Sequence, residues 1–469
     1  MRLGIFLGYG LTGSGSTVYS VELAETLSKA GHEVHFFCHE TSVERLQSRG
    51  RLSASDHGGV TVRDPNLPGL VIHAWQPPIL PVTYPRPELA NGTILASMTN
   101  EQIDTYVDSV CRWIQAIDAD TPLDAFIVNH VALMTVVAER LAQGERPIRV
   151  VVHGTGLEYG IGRSELIRER VSHALDSDNT VVIALNDSVA DRTVAAFPSI
   201  LDDKLEIIAP GTDIGRFVLG TETPGRCVFV GRLSLDKGLH TLLLALPEVC
   251  AVCPNFHLDI VGDGPEATAL QNAWSALTDG DIEKFVETCR QGALAQRTLA
   301  EANHVLAPIL AHAQKWTGDD VREARLARDT VRWHGHRSRA EVADILSRAS
   351  LFVLPSIVPE AHPLSVCEAM SVGVPVIGTD LAGIRHLLLR AERVVPSLMG
   401  RSRVSMNSET FVQNMSAACI DHFTTPVSRD EREKLRQLIV NDYSWSATAD
   451  RVVGAIDSHR LSSQRVQTL

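Results

Sequence analysis

The stretch from Pro359 to Gly378, PEAHPLSVCEAMSVGVPVIG, contains a proline-flanked loop, a predicted helix and the start of a predicted strand. Glu360 lies in the loop, and Glu368 follows eight positions later, inside the helix. We expect Pro363 at the first helical position, because its fixed φ and its missing N–H suit that place. The two glutamates therefore lie on either side of a helix start.

The start of this helix is a predicted anion site. The backbone N–H groups of Leu364 and Ser365 would point out of the positive end of the helix. Together with the two glutamates, these groups could hold one ligand that carries both hydroxyls and phosphate. A surface helix with two solvated glutamates explains the same stretch equally well, so both interpretations stay open at this point.

Length and composition indicate a large globular protein. A chain of 469 residues is too long for one ordinary core and predicts two or three domains. Hydrophobic residues make up 44% of the chain and charged residues 21%, as in folded proteins in general. The net charge of −13 argues against nucleic-acid partners and against adsorption to anionic lipid through overall charge.

The cysteines and the apolar runs give expectations about metal sites and location. Cys250 and Cys253 form a C-x-x-C pair, but the sequence has no second such pair to complete a zinc site. Scattered cysteines are typical of a reducing cytosol, so we expect a cytoplasmic protein. The N-terminal MRLGIFLGYG predicts a strand and not a signal peptide. No apolar run reaches the roughly 18 residues that span a membrane, and membrane association is not indicated.

The N-terminal region predicts a βαβ unit. Residues 2–7 read as a buried strand, followed by a glycine-rich turn, a helix and a second strand. Such a connection lets the helix start face a phosphate. Gly8, Gly10 and Gly13 also fit a dinucleotide fingerprint, in which Glu40 would bind a ribose. A nicotinamide-dependent dehydrogenase is therefore one alternative for the function.

Two later strands of this region are each predicted to end in a histidine. LDAFIVNH ends at His130, and PIRVVVHG reaches His153. Both imidazoles are expected at the ligand edge of an open parallel sheet. His153 is the better functional candidate, because the adjacent Gly154 permits close approach, whereas His130 fits a hydrogen-bonded loop residue. Residues 56–100, rich in Pro, Gly and His, predict a long functional loop.

A second βαβ unit follows the first region. GRCVFVGRLSLDKGLH predicts a strand, a loop with Arg232 and Lys237, and a helix. Arginine suits bidentate phosphate contacts and lysine a point-charge contact, so this loop is a candidate phosphate site. Asp213 follows a Pro-Gly turn at the predicted hinge between the two regions. Residues 267–330 have no strand pattern and predict two or three inserted helices.

The assembled motifs resemble the retaining glycosyltransferases of family 4, which have the GT-B fold. The chain contains, in the family's order, the N-terminal glycine-rich loop, His153-Gly154, APGTD, VGRLSLDKG, VGDGPE, PEAHPLSVCEAMSVGVPVIGT and YSWSATADRV. The resemblance covers nearly the whole length, apart from residues 56–100 and 267–330. The Arg-Lys loop together with the two glutamates is the most specific part of it.

The resemblance implies an α/β protein with two Rossmann-like domains that face each other across a cleft. Residues 1–205 would form the acceptor-side domain, residues 206–425 the nucleotide-sugar domain with the helical insertion, and residues 426–469 helices that pack back on the first domain. It implies a retaining, metal-independent, hexosyltransferase-like enzyme without a cofactor. The donor would be linked to UDP or GDP, and the acceptor would be a small molecule, a glycan or a lipid.

The resemblance also implies roles for single residues. Arg232, Lys237, Leu364 and Gly15 would contact the donor diphosphate, and Glu368 would bind the ribose hydroxyls. Cations and helix dipoles at the departing diphosphate would make a metal unnecessary.

Two residues would act at the transferred sugar. Glu360 would contact its hydroxyls, and His153 would lie near the transferring carbon, so these are the expected catalytic residues. Three further candidates for the site are Asp213, His362 and Ser365. The family usually has an aromatic residue where this chain has His362, which leaves the donor sugar open. A non-catalytic GT-B scaffold, with the insertion as a protein-binding element, is a further alternative.

Overall fold

The computed structural model describes residues 1–11, 15–83, 89–154, 156–200 and 202–466, without the side chains of residues 158, 159, 202 and 457–466. It divides into two compact units. The first comprises Met1–Gly211 and Trp445–Leu469, and the second comprises Thr212–Ser444. The chain therefore leaves the first unit once and returns to it near its end.

The first unit is built around a mixed β-sheet. Its strands are β1 (Arg2–Leu7), β2 (Glu33–Cys38), β3 (Arg51–Ala54), β4 (Val60–Arg63), β5 (Leu70–Ala74), β6 (Leu80–Val82), β7 (Gly92–Ile94), β8 (Ala125–Asn129), β9 (Ile148–Val152), β10 (Thr180–Ala184) and β11 (Leu205–Ile207). Nine of them form one sheet in the order β11-β10-β9-β8-β1-β2-β5-β4-β3, and β6 pairs with β7. Strands β5, β8, β9 and β10 are buried at every position, which suits apolar runs covered on both faces.

Helices of the first unit connect these strands. They are α1 (Gly15–Lys29), α2 (Val43–Gln47), α3 (Asn100–Asp120), α4 (Leu133–Ala142), α5 (Glu165–Leu175) and α6 (Asp187–Ala196). Strand β1 pairs in parallel with β2 on one side and with β8 on the other. The predicted βαβ unit is therefore present, and its helix α1 begins just beyond the carboxyl end of β1.

The prediction of a long loop over residues 56–100 is wrong where β4, β5, β6 and β7 lie. The segment LVIHA forms β5, which pairs in parallel with β2, and β4 pairs with β5 in the antiparallel sense. Gly58 and Gly59 have φ values of 88° and 76°, and they form the turn between β3 and β4. The surrounding prolines and glycines hid a short apolar strand. Residues 84–88 of the range lie outside the described residues.

The second unit contains a six-stranded parallel sheet. Its strands are β12 (Arg226–Val230), β13 (His257–Val261), β14 (Val331–Gly335), β15 (Leu351–Leu354), β16 (Val376–Thr379) and β17 (Arg403–Val404). They lie in the order β14-β13-β12-β15-β16-β17. The order reverses between β12 and β15, so the loops after these two strands lie at the position where open α/β sheets bind ligands.

Ten helices of the described residues belong to the second unit. They are α7 (Leu239–Val252), α8 (Ala267–Asp279), α9 (Ile282–Gln296), α10 (Leu299–Ala313), α11 (Gly318–Leu326), α12 (Arg339–Ser347), α13 (Leu364–Ser371), α14 (Ala382–Val394), α15 (Phe411–Thr424) and α16 (Arg429–Asp442). The last helix of the chain, α17 (Trp445–Val466), belongs to the first unit. Two Rossmann-like domains, with a helical insertion in the second, confirm the predicted fold class.

The insertion consists of α8 to α11, which is one helix more than the two or three expected. Three of its helices, α9 to α11, begin at side-chain caps, which satisfy N–H groups of the first turn. Thr298 and Glu301 form a capping box at α10, and Thr317 and Asp320 form one at α11. These S/T-x-x-E/D patterns mark the helix starts in the sequence.

The two units meet at 211/212 and 444/445, and not at the predicted domain boundaries 205/206 and 425/426. Arg436 of α16 donates hydrogen bonds to the carbonyl oxygens of Phe217 and Ser371, so residues 426–444 stay with the second unit. In the first unit, a Cβ atom on Gly211 would lie 2.4 Å from Cα of Trp445. Glycine at this position therefore allows the close contact with the start of α17. No helix among the described residues is long and apolar enough to cross a membrane.

Candidate functional site

The loop after β12 carries Lys237 in a single 3₁₀ turn. The next residue, Gly238, has φ 69°, and a Cβ atom there would lie 1.8 Å from the carbonyl oxygen of Pro355. Only glycine combines this backbone conformation with such a close approach. Gly238 therefore brings the Lys237 loop against the segment that follows β15.

Lys237 and Glu360 meet at this edge of the sheet. Nζ of Lys237 lies 2.5 Å from Oε1 of Glu360, with 22% and 15% of the side chains exposed. The Ser356 hydroxyl donates to the same Oε1 at 2.7 Å, and the carbonyl oxygen of Ser356 accepts from Thr379 at 2.6 Å. The structure thus brings together two residues that the sequence analysis assigned to different parts of a ligand.

Helix α13 begins one residue later than expected. Pro363 has an extended backbone, with φ −78° and ψ 99°, and is the N-cap residue and not the first helical residue. Leu364 and Ser365 open the helix, and both are partly exposed. Since the first N–H groups of a helix have no intrahelical acceptor, this end can bind an anion.

The predicted ribose-binding acid is held by an arginine. Oε1 of Glu368 lies 2.9 Å from Nη2 of Arg339, and 10% of the Glu368 side chain is exposed. Arg339 is the first residue of α12, and its guanidinium lies 5.5 Å from the ring centre of Phe217. Sequence reasoning missed Arg339, although it follows β14 and the helix-capping Ser338 in the sequence.

The remaining candidates of the second unit have different environments. Arg232 is exposed, and none of the described side chains holds its guanidinium. Oδ1 of Asp213 accepts the backbone N–H of Arg216 at 3.0 Å, and Oδ2 lies 3.2 Å from the guanidinium of the same arginine. Asp213 therefore stabilises the turn in which it lies, and the structure does not bring it to Glu360.

His362 is a neutral residue within the PEAHPLSVCEAM stretch. Its Nε2 lies 3.3 Å from Sγ of Cys367. Nδ1 is buried, and no polar group of the described residues contacts it. Burial, together with the nearby His386, lowers the pKa of His362 to about 3. The imidazole therefore stays uncharged near neutral pH and can donate or accept one hydrogen bond.

In the first unit, the carboxyl ends of β8 and β9 hold His153. Its Nε2 lies 2.5 Å from Oδ1 of Asn129, and Nδ2 of Asn129 donates to the carbonyl oxygen of Ser16 at 3.1 Å. Asn129 thus links the imidazole to the first turn of α1. This asparagine was visible at the end of a predicted strand, but nothing in the sequence alone marked it as a partner of His153.

Burial and the neighbouring His130 control the charge of His153. The ring of His130 lies 4.8 Å from that of His153, and the ring of Tyr19 lies 5.3 Å from it. Burial, and secondarily His130, holds the pKa of His153 well below its usual range. Burial also lowers the pKa of His130 to about 4. Both imidazoles are therefore neutral at physiological pH.

The glycine turn of the first unit is only partly described. Gly15 is the first residue of α1 and is exposed, and a Cβ atom there would meet no described atom within 4 Å. Gly13 lies outside the described residues. Packing does not require glycine at position 15, which is compatible with a ligand close to this backbone.

Glu40 has a structural role at the same edge. Its carboxylate accepts the N–H groups of Leu11 at 2.7 Å, Thr41 at 2.9 Å and Ser42 at 2.8 Å. Arg45 lies 3.3 Å from it. An acid that already holds three backbone donors is poorly suited to bind a ribose, so the geometry does not favour the dinucleotide interpretation. Among the described residues, no group of three or more His, Cys, Asp or Glu is placed to hold a metal ion.

Three protein-family models together match most of the chain. The model described as "Glycosyl transferase 4-like domain" matches residues 14–211. Two models described as "Glycosyl transferases group 1" match residues 224–318 and 319–396. These matches include the loops that carry His153, Lys237 and Glu360.

The chain is also similar, at low sequence identity, to curated glycosyltransferases and to solved structures. A glycogen synthase of Mycobacterium tuberculosis is 23% identical over 312 residues, which are 65% of this chain and 61% of that protein. The chain thus matches less than two thirds of this relative's length. Sucrose-phosphate synthase from Thermosynechococcus elongatus has a TM-score of 0.65 at 17% identity, with 98% of this chain and 99% of that chain covered. HepE from Anabaena, solved in complex with UDP-glucose, has a TM-score of 0.59 at 13% identity, with 97% and 99% covered.

Proposed function

We propose that the chain is a retaining glycosyltransferase with a nucleotide-diphosphate sugar as donor. The proposal starts from the family, because the chain belongs to the glycosyl transferases of group 1. The observation that carries the proposal is the ion pair of Lys237 and Glu360 in the second unit. Glu360 lies in the PEAHPLSVCEAM stretch, which also contains the start of helix α13. A sugar diphosphate offers phosphate oxygens to a lysine and to helix N–H groups, and hydroxyls to a carboxylate.

Stabilisation of the departing diphosphate is the main chemical task of the second unit. Negative charge develops on the phosphate oxygens as the bond to the sugar breaks, and fixed cations and helix dipoles stabilise it. We assign this role to Lys237, the exposed Arg232 and the N–H groups of Leu364 and Ser365. Glu368, oriented by Arg339, is assigned to the ribose hydroxyls.

Glu360 is assigned to the hydroxyls of the transferred sugar. Lys237 and Ser356 both contact Oε1, and no described group contacts Oε2. The second oxygen is therefore available to accept a hydroxyl hydrogen from a sugar. A carboxylate held by two donors keeps the sugar in one orientation, which lowers the entropic part of the barrier.

His153 is assigned to the reacting sugar as a neutral hydrogen-bonding group. Because its pKa is held below the usual range, it is not assigned as a cationic acid. The diphosphate itself would help to take the proton of the acceptor hydroxyl. The proposal requires no metal and no other cofactor, and the acceptor is a small molecule, a glycan or a lipid.

A binding protein without transferase activity is the second candidate. Two leucines on the insertion helices support it, Leu299 with 65% and Leu326 with 72% of the residue exposed. Single exposed apolar side chains also occur on proteins without partners, so these two leucines support the second candidate less than the Lys237–Glu360 pair supports the first. Hydrolysis of a donor by the purified chain would count against this candidate.

The donor is best tested by calorimetry with UDP, GDP, ADP and NAD, followed by donor hydrolysis across a panel of nucleotide sugars with and without EDTA. We expect one nucleoside diphosphate to bind, NAD not to bind, and turnover to continue in EDTA. NMR of the first product should show the anomeric configuration of the donor. Binding of NAD alone would reject the proposal, and an inverted product would reject the retaining mechanism.

A further inference from the structure

One arginine of the insertion reaches the loop that carries Lys237. Arg297 lies between α9 and α10, and only 9% of its side chain is exposed. Its Nε donates to Oδ1 of Asp236 at 3.0 Å, and Asp236 immediately precedes Lys237. Its two Nη groups donate to the carboxylate of Glu266, with Nη2 at 3.3 Å from Oε2.

Glu266, which Arg297 contacts, also forms hydrogen bonds with the backbone of the loop. The carboxylate is 1% exposed and accepts the N–H of Leu235 at 2.6 Å. The N–H of Glu266 donates in turn to the carbonyl oxygen of Leu233 at 3.2 Å. One guanidinium therefore joins the insertion to the 3₁₀ turn and, through Glu266, to Leu233 just before it.

The loop is also joined to the acid of the candidate site. The carbonyl oxygen of Asp236 accepts the N–H of Ile357 at 2.9 Å. The Ser356 hydroxyl lies 3.2 Å from that carbonyl oxygen and 2.7 Å from Oε1 of Glu360. A shift of Asp236 would therefore change both Lys237 and the hydroxyl that holds Glu360.

Charge gives Arg297 a second effect on the loop. Asp236 immediately precedes Lys237, Glu266 accepts the N–H of Leu235 in the same turn, and Arg297 contacts both carboxylates. Without the guanidinium they would be a largely buried negative pair, and their field would oppose an anionic ligand at the lysine. A lysine at position 297 would keep the charge but lacks the planar fork that spans two carboxylates.

We propose that Arg297 is a positioning residue, through which the helical insertion holds the 231–238 loop in the geometry that binds the donor diphosphate. The inference rests on the proposed function for its ligand. The tether itself is a property of the ligand-free chain and can be measured without any ligand.

The test compares three variants with the wild-type chain. Arg297→Ala removes the tether, and Arg297→Lys keeps its charge. Arg432→Ala is the matched control, because Arg432 is also a buried arginine of the second unit, with 6% of its side chain exposed, and it donates to the carbonyl oxygen of Gly373 at 2.9 Å. The readouts are amide hydrogen exchange of residues 231–238 without ligand, and calorimetric affinity for UDP, GDP and ADP.

We expect Arg297→Ala to speed exchange in the loop and to weaken diphosphate binding about tenfold, with Arg297→Lys in between. Arg432→Ala should lower the melting temperature without either change. If Arg297→Ala changes the loop exchange and the affinity no more than the control does, the proposal is overturned. Faster exchange in a chain whose wild type binds none of UDP, GDP and ADP would instead reject the proposed donor and support the tether.

A variant that keeps the insertion intact covers the case in which Arg297→Ala does not fold. Asp236→Ala removes the side-chain oxygen that accepts from Nε of Arg297 and leaves the pair with Glu266 in place. We expect faster exchange at the loop amides and unchanged exchange in α8 to α11. Unchanged loop exchange in this folded variant would contradict the proposed tether.

Discussion

Nζ of Lys237 and Oε1 of Glu360 form an ion pair at 2.5 Å, although the two residues are 123 positions apart in the chain. The glycine after the lysine and the serine hydroxyl beside the glutamate fix this contact. A cation and an acid that are held together in the absence of a ligand are ready for a substrate that carries both phosphate and hydroxyls.

Lys237→Ala should weaken the binding of a nucleoside diphosphate. A hydrogen bond to a charged group contributes about 1.5–3 kcal/mol, so we expect a loss of about 10- to 100-fold in affinity. Calorimetry with the diphosphate that binds the wild-type chain measures it. Lys315→Ala is the matched control, because Lys315 also pairs with a glutamate, Glu409, at 3.5 Å but is 48% exposed. An affinity unchanged in Lys237→Ala would remove this lysine from the site.

Glu360→Ala should abolish most of the transfer and leave nucleotide binding largely intact. The carboxylate is assigned to the sugar and not to the diphosphate, so we expect kcat to fall by about 100-fold. Rates with a saturating donor, together with the affinity for the free nucleotide, measure the two effects. Glu409→Ala should change neither quantity. Normal turnover by Glu360→Ala would exclude the role assigned to this acid.

The sequence was sufficient for the features that depend on local patterns. Parallel strands, glycine turns and the helix start near Pro363 follow from apolar runs and from single residues with restricted backbones. The pairing of Lys237 with Glu360 could only be expected as a shared sheet edge. Its geometry depends on Gly238 and on the Pro355 carbonyl oxygen, which are far apart in the chain.

Contacts between distant segments escaped sequence reasoning. Arg339 and Asn129 hold two of the predicted site residues, yet each looks like an ordinary polar residue next to a strand or helix. The strand β5 was hidden for another reason, because prolines and glycines on both sides suggested a loop. Arg297 lies in a helical insertion without a recognised motif, so its contact with the Lys237 loop required coordinates.

His153→Ala should lower the transfer rate without a change in its pH dependence between pH 6 and 8. The folded chain keeps this imidazole neutral, because burial holds its pKa well below the usual range. Loss of one oriented hydrogen-bonding group at the reacting centre would lower kcat by about 100-fold. Steady-state rates across this pH range measure both quantities.

A surface histidine provides the control for His153. His57 pairs with Asp120 at 2.8 Å, and His57→Ala should keep the wild-type rate. Asn129→Ala should act in the same direction as His153→Ala, because it removes the hydrogen bond that orients the ring. A full transfer rate in His153→Ala would show that this histidine is only structural.

Acid should destabilise the chain from about pH 6.5 down to about pH 4. Burial lowers the pKa of four histidines from 6.5 to about 4, and these are His39, His130, His240 and His422. Below pH 6.5 the unfolded chain binds protons that the folded chain does not, so stability falls as the pH falls. Each such histidine lowers the free energy of unfolding by about 1.4 kcal/mol for every pH unit of acidification inside this window. Below about pH 4 it causes no further loss of stability.

His240→Gln should make the free energy of unfolding depend less steeply on pH, because one of the four titrating histidines is removed. His240 is fully buried, and its Nε2 donates to the carbonyl oxygen of Val305 at 2.8 Å. Glutamine keeps an N–H donor but does not titrate, so the slope of the unfolding free energy between pH 6 and 5 should drop by about 1.4 kcal/mol per pH unit. Urea unfolding at several pH values measures the slope, and the exposed His336→Gln serves as the control. Equal slopes in the wild type and in His240→Gln would mean that His240 binds its proton in the folded chain as readily as in the unfolded one.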